Sequence, residues 1–263
     1  MQSHFVGSVL VDDEPPVNFY DIHAHILPGV DDGPATMEEA IQTIKVSSDQ
    51  GVKSILATPH RRDVQEKSSI KDIRRLVNEI NLNADQLHID IVTKLGMENH
   101  LNSSLGEELD RGDSLTINGG IFVLVEMPYI AVINSEIMDA LDDLMKRGYV
   151  PVIAHPERME MFQSYPHHFR ELVNEGMLSQ ITAGSLLGSF GRESKFFCEE
   201  LLRLNLVHAI SSDTHNFKGV RRPQLLEGYH AAGKLVGYEI ATKLVSTNPR
   251  SILDNDSRFF ERV

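Results

Sequence analysis

Asp21-Ile22-His23-Ala24-His25 closes an apolar run, Val17-Asn18-Phe19-Tyr20, that reads as the last part of a β-strand. Side chains alternate across a strand, so His23 and His25 are expected on one face with Asp21 in line behind them. Two imidazoles at one strand end suit a borderline cation such as Mn, Fe or Zn. A lone H-x-H is also met as two exposed or hydrogen-bonded histidines, because so short a motif recurs by chance. The other strand ends decide between these readings.

Working outward, Val52 to Ala57 reads as a buried strand and runs into Thr58-Pro59-His60, then Arg61-Arg62. An alternating strand from His88 to Leu95 ends in Gly96-Met97-Glu98. Ile121 to Val125 ends at Glu126, and Val150 to Ala154 ends at His155-Pro156-Glu157-Arg158. A short strand covers Ser179 to Thr182, and Leu206 to Ile210 leads into Ser211-Ser212-Asp213-Thr214-His215-Asn216. Helical spacing fills the intervals. Thr36 caps a helix carrying Met37, Ala40, Ile41 and Ile44, and a second helix carries Ile70, Ile73, Leu76, Val77 and Ile80. Ser135 is expected to cap a helix with Ile137, Leu141 and Leu144, and further helices cover Phe169–Val173, Lys195–Leu204, Leu225–Val236 and Tyr238–Val245.

Strand and helix alternate roughly every 30 to 40 residues, so about seven strand–helix units fit. Crossover connections force the strands parallel. The fold class is therefore α/β, a distorted (β/α)7 TIM-like barrel, with an open doubly wound sheet as the alternative. Residues 1–17 read as an N-terminal extension, broken by Pro15-Pro16, and residues 18–263 as one domain.

The chain has 263 residues, 41% hydrophobic, enough for one large core. Its net charge of -13 argues against non-specific nucleic-acid binding. Acids clustered around cations remain compatible with an anionic substrate. No apolar run approaches membrane-span length, and the start lacks the basic stretch of a secretion signal. The single Cys198 excludes an internal disulfide framework and suits a reducing, cytoplasmic setting.

His23, His25, His60, Glu98, Glu126, His155, Asp213 and His215 all fall at the C-terminal ends of these strands. In a barrel those ends share the face where active sites form. Scattered surface residues would not recur at one place in the unit, so a metal site is the expectation. More ligands are present than one ion can use, which suggests two or three. Carboxylates bridge ions, and a water held between them is acidified into a hydroxide nucleophile. Arg61 and Arg62 directly follow His60, and Arg158 follows His155 by three. Arginine grips phosphate with two hydrogen bonds, which points to a phosphoester.

Taken in order, DIHAHILPGVDDGP, ATPHRR, the isolated GME, LVEMP, IAHPER and SDTHN resemble the PHP (polymerase and histidinol phosphatase) superfamily. The likeness is strongest to its bacterial manganese-dependent tyrosine-protein phosphatases, the CpsB/YwqE-like family, over residues 19–255. That resemblance implies three Mn ions, with Fe or Zn as substitutes. His23, His25, Glu98 and Asp213 would hold one. Glu98, Glu126 and His155 would hold a second, and Asp32, His60 and His215 a third, with Asp31 in support. Phosphate oxygens would face Arg61 or Arg62, Arg158, and Arg221 or Arg222. Arg158, Asp213 and His215 would stand at the chemistry itself. The implied substrate is a phosphotyrosine protein, a membrane-bound tyrosine kinase of capsule and exopolysaccharide assembly. The extension departs from the family pattern.

Three other enzyme chemistries compete for these residues. A small-molecule phosphatase of the histidinol phosphatase kind needs the same ions. An amidohydrolase-type hydrolase also begins with H-x-H, but the arginines and the two glutamates disfavour it. A thiol phosphatase needs C-x5-R, whereas Cys198 and Arg203 are separated by four residues within an amphipathic helix, where Cys198 reads as core. A silent binding module is a different class, disfavoured because every expected ligand position is filled. His100 and His208 are the remaining histidines expected to support ligands from behind.

Overall fold

The computed structural model describes residues 17–256 and 258. The expected N-terminal extension, apart from Val17, lies outside the described residues.

Among the described residues, eight parallel strands form two sheets. The first orders β1 (Phe19–Ala24), β2 (Val52–Ala57) and β3 (Val92–Leu95). The second orders β4 (Asn99–His100), β5 (Phe122–Glu126), β6 (Val150–Ala154), β7 (Leu178–Thr182) and β8 (Ala209–Ser211). Two bridges join the sheets into a closed barrel, His60 with Glu98 and Ala24 with Thr214. Closure removes the open-sheet alternative. β3 and β4 belong to one strand path that leaves β2 and joins β5 across Gly96-Met97-Glu98, so seven strand–helix units remain.

The helices follow from capping and spacing. In α1 (Met37–Asp49) the Thr36 hydroxyl accepts from Glu39 N, and Ala40, Thr43 and Ile44 are buried. In α3 (Ile70–Gln86) Ser69 caps, and Ile73, Val77, Ile80 and Ala84 form the inner stripe. Asn134, not Ser135, caps α5 (Ser135–Lys146), because its side chain accepts from Ile137 N. Cys198 is buried on the inner face of α9 (Arg192–Arg203), as its spacing predicts, and burial pushes its thiol pKa up.

Two apolar clusters result. One packs strand residues such as Ile55, Val123, Ile153 and Ile210 against helix residues such as Ile73, Leu144 and Leu201. The other gathers Ile22, Leu56, Leu124, Val152, Leu178 and Ala209 from six strands, which only a barrel interior brings together.

Three local expectations are corrected. The strand expected from His88 starts at Val92, because His88 turns with φ of 55° and Ile89 N bonds back to Ala84 O. The strand expected at Leu206–Ile210 is confined to Ala209–Ser211, so His208 precedes it. A helix not expected, α2 (Arg61–Lys67), follows His60 directly.

Candidate metal centre

Every candidate ligand except Asp32, which lies in the loop after β1, is delivered at or just past a strand end. His23 is on β1 and His25 just past it; Glu98 occupies the kink between β3 and β4; Glu126 ends β5. His155 follows β6 at φ of 33°, and Asp213 follows β8 at φ of 49°. A left-handed backbone at two non-glycine residues is strained and persists where the surroundings enforce it. Gly33 makes the Asp31-Asp32 turn compatible with the site, since a Cβ there would lie 2.7 Å from His25 O.

Glu98 is the hub. Its carboxylate lies 2.9 Å from His155 Nε2, 2.9 Å from His60 Nδ1, 3.2 Å from His25 Nε2 and 3.4 Å from His23 Nε2. Asp213 Oδ1 is 3.6 Å from His23, His25 and His215 alike. Asp32 Oδ1 reaches His215 Nε2 at 3.0 Å and His60 Nε2 at 3.5 Å. All nine expected ligands thus meet in one cage. Donor atoms within 4.8 Å of one another come from His25, Asp32, His60 and His215; from His23, His155 and Asp213; from His23, His25 and Glu98; and from His60, Glu98 and Glu126. The grouping differs from the one the family resemblance implies: His155 and Asp213 sit with His23 apart from Glu98, His25 also joins Asp32, His60 and His215, and His60 also joins Glu98 and Glu126.

Supporting contacts fix the ring faces. Asp31 Oδ2 lies 2.8 Å from His25 Nδ1, the supporting place expected for it. Gln180 Oε1 lies 2.8 Å from His23 Nδ1. An amide oxygen only accepts, so Nδ1 donates and Nε2 turns its lone pair inward. Asp21 is not in line behind the histidines. The β1 register shifts between Asp21 and Ala24, and Asp21 Oδ1 accepts from the backbone N of His23 and Ser212. Burial lifts its carboxyl to about 6, against the pull of the Ser212 hydrogen bonds.

The electrostatics are those of crowded acids compensated by protons. Burial disfavours charge on His25, but Asp31 outweighs it and raises the imidazole to about 9. Burial opposes charge on His60 too, and Asp32 and Glu98 lift it to about 11. Glu98 and Asp213 resist burial and stay well below the usual carboxylate range, held by His23 and His155 and by Arg158 and His23 respectively. His215 is the exception: burial and the neighbouring His25 lower it to about 4. Imidazole and carboxylate donors converging where protons compensate charge fit divalent cations, which displace those protons on binding.

The arginines divide. Arg158 Nη1 lies 2.7 Å from Asp213 Oδ2, its Nη2 donates to Thr182 Oγ1 at 2.8 Å, and its guanidinium stacks 3.7 Å over the Phe190 ring. Arg221 spans Asp32 at 3.0 Å and Asp213 at 3.2 Å. Arg62 is exposed at a cavity of about 210 Å³ lined also by His60, Glu98, His100 and Glu126. Arg61, which lines the same cavity, and Arg222 are each paired with a carboxylate. Arg61 is buried in an ion pair with Glu108, and Arg222 pairs with Glu227 at 2.8 Å. His100 faces Glu126 at 3.7 Å, whereas His208 lies apart, against Ser179.

Gln180, Thr182 and Glu157 were missed in the sequence. Glu157 is fully buried and accepts from the N and Oγ1 of Thr182. The one legible signal for Gln180 and Thr182 is polarity in an otherwise buried strand, Leu178-Ser179-Gln180-Ile181-Thr182.

Comparison with known proteins agrees with this architecture. The family model for capsular polysaccharide synthesis, CpsB/CapC, matches residues 19–254. Tyrosine-protein phosphatase YwqE of Bacillus subtilis is 33% identical over 239 residues, 91% of this chain and 93% of that one. A solved structure from work on Bacillus subtilis YwqE and Streptococcus pneumoniae CpsB, described there as unique metal-dependent tyrosine phosphatases, is 32% identical. It aligns with a TM-score of 0.85 over 90% of this chain and 95% of that chain. The lactonase Lmo2620 of Listeria monocytogenes, 12% identical with a TM-score of 0.55 over 90% of this chain and 95% of that one, shares the fold alone.

Proposed function

The chain belongs to the capsular polysaccharide synthesis family CpsB/CapC, and from that membership we propose that it is a metal-dependent protein-tyrosine phosphatase serving capsule or exopolysaccharide synthesis. One observation carries the reading to chemistry. Arg158 and Arg221 both reach Asp213 inside a ring of histidines and carboxylates, so anion-binding and cation-binding groups share one wall.

His23, His25, Asp32, His60, Glu98, Glu126, His155, Asp213 and His215 would hold the cations. Manganese, three ions, suits donors that are imidazole and carboxylate without thiolate. Bound there, the cations supply Lewis-acid charge and lower the pKa of a coordinated water. Arg158, Arg221 and the exposed Arg62 take the phosphate oxygens and orient phosphorus. Thr182, Ser185 and Phe190 hold Arg158 so that its guanidinium is spent on orientation without reorganising. Gln180 and Asp31 keep the inner imidazole nitrogens facing the cage. Residues 18–263 form the catalytic unit and residues 1–17 an extension to it. The substrate is a phosphotyrosine protein, and the proposed one is the membrane tyrosine kinase of polysaccharide assembly, met from the cytoplasm.

The same cage suits a small-molecule phosphomonoester, so the test compares substrates. Metal-stripped protein is reloaded with Mn²⁺, and turnover is measured on a phosphotyrosyl peptide and on histidinol phosphate. Elemental analysis counts the ions. Activity that returns with Mn²⁺ and favours the peptide is expected. A preference for histidinol phosphate would reverse the substrate assignment, and turnover indifferent to metal would remove the mechanism.

A further inference from the structure

The segment that leaves Glu126, residues 127–134, stands out by its exposure. Tyr129 is 67%, Val132 52% and Ile130 38% exposed, and the stretch from Met127 to Ile133 carries no charge. Its ends are pinned: Met127 is fully buried and Asn134 caps α5. A tight turn, Ile130 N to Pro128 O at 2.8 Å, pushes the apolar side chains outward. Exposed apolar side chains grouped beside a site mark a contact surface more often than a structural need.

This segment is wired to the cage. Tyr129 Oη donates to Glu126 Oε1 at 3.1 Å, so an exposed ring is tethered to a candidate ligand. A second cavity of about 210 Å³ lies against it, lined by Leu101, Pro128, Ile130, Asn134 and Ile137 among others. Leu101 N donates to Glu126 O at 2.9 Å, so this cavity, which Asn102 and Glu136 also line, abuts the strand end that also lines the polar cavity holding Arg62 and His100. Depth adds the last element. His23, Glu98 and Asp213 are 0%, 1% and 2% exposed. A phosphate carried on a long, stiff side chain such as an aryl ring would reach toward them.

We propose that residues 128–134 form a lip that receives substrate polypeptide. The Tyr129 ring walls the substrate's aryl ring at the mouth of the cage, and Ile130 and Val132 take an apolar side chain flanking the phosphotyrosine. This deepens the phosphotyrosyl-protein reading and rests on it. Tyr129 is a specificity residue here, held in place by Glu126.

The test uses the full chain loaded with Mn²⁺ and three contrasts. kcat and KM are measured on a phosphotyrosyl peptide with apolar flanks, on the same peptide with Ser and Gly flanks, on free phosphotyrosine, and on glycerol phosphate. Ile130→Ser with Val132→Ser changes only exposed positions. It is expected to cut the ratio of kcat/KM on the apolar-flanked peptide to that on free phosphotyrosine about tenfold, through KM. Tyr129→Ala is expected to lower the aryl-to-alkyl ratio about tenfold, a loss that Tyr129→Phe largely restores because the ring remains. An unchanged peptide ratio in the double variant overturns the lip. A Tyr129→Ala loss equal on glycerol phosphate and free phosphotyrosine overturns the aryl wall and leaves the residue as support for Glu126. Wild-type protein that hydrolyses glycerol phosphate but neither peptide overturns the phosphotyrosyl reading itself, and that result is separate because it needs no variant.

Discussion

His25 and His208, one at each rim of the barrel, are both buried, to opposite effect. At the C-terminal rim, His25 stands among Asp31 and Glu98 and is raised to about 9 despite burial. At the N-terminal rim, His208 is 4% exposed, its Nδ1 accepts from Ser179 N, and burial alone lowers it to about 4. Burial by itself penalises the charged imidazole; the neighbours then set the sign. Where carboxylates outweigh burial, as around His25 and His60 though not His215, the barrel stores positive charge that a cation can replace. Where they are backbone amides and hydroxyls, it stores only stability. His25 and His208 therefore answer pH in opposite directions. His25 has a folded pKa above its unfolded one, so its contribution to the metal-free fold is complete below about 6.5 and is lost as pH rises through about 9. The folded pKa of His208 is depressed, so its contribution is complete above about 6.5 and is lost as pH falls through about 4.

The most direct way to break this contrast is Glu98→Gln. It removes the carboxylate that touches four histidines and keeps its shape. Turnover of a phosphotyrosyl peptide is expected to fall on the order of 10³-fold or more, with fewer ions in elemental analysis, since a ligand should cost more than the 10- to 100-fold typical of outer contacts. Activity retained within tenfold would mean that Glu98 is not the centre of the cage.

The opposite rim is sharpened by His208→Asn, read by denaturant unfolding of metal-free protein between pH 7 and pH 4. Wild type is expected to lose up to about 3 kcal/mol through protonation of His208 in the unfolded chain across this window. The variant should lack that part of the slope whatever its stability at pH 7. Identical slopes would show that His208 is not held neutral by the fold.

The same contrast explains what could be read from the chain. The C-terminal rim was legible because buried parallel strands are apolar runs, and a polar residue closing each run in turn stands out: His23, His60, Glu98, Glu126, His155, Asp213. Gln180 was not, because an amide inside Leu178–Thr182 has the same composition whether it orients His23 or bonds its own strand, and it does both. Helix α2 has only Arg61 and Val64 buried among seven residues, too little for a period to show. Asn134 and Ser135 are both good caps, and only the bond to Ile137 N chooses between them. Side-chain direction was the least legible of all. Arg61 next to His60 looks like an anion ligand until Glu108, 47 residues further on, is brought against it.

Arg221 and Arg222 test that last point with the smallest expected effect. They are neighbours of nearly equal exposure, 34% and 38% at the side chain, so neither composition nor burial separates them. Direction does. Arg221 spans Asp32 and Asp213 within the cage, while Arg222 turns to Glu227 at 2.8 Å and to Pro223 O at 3.0 Å. A guanidinium held beside the phosphate position contributes charge-assisted hydrogen bonds to the transition state, so Arg221→Ala should lower kcat/KM about 10- to 100-fold. An exposed ion pair contributes about 0–1 kcal/mol to stability and nothing to the reaction, so Arg222→Ala should change kcat/KM less than about twofold. Steady-state kinetics on one phosphotyrosyl peptide decides. Equal losses at both positions would mean that the loop after Asp213 rearranges when substrate enters, and that Arg222 swings from Glu227 toward the cage.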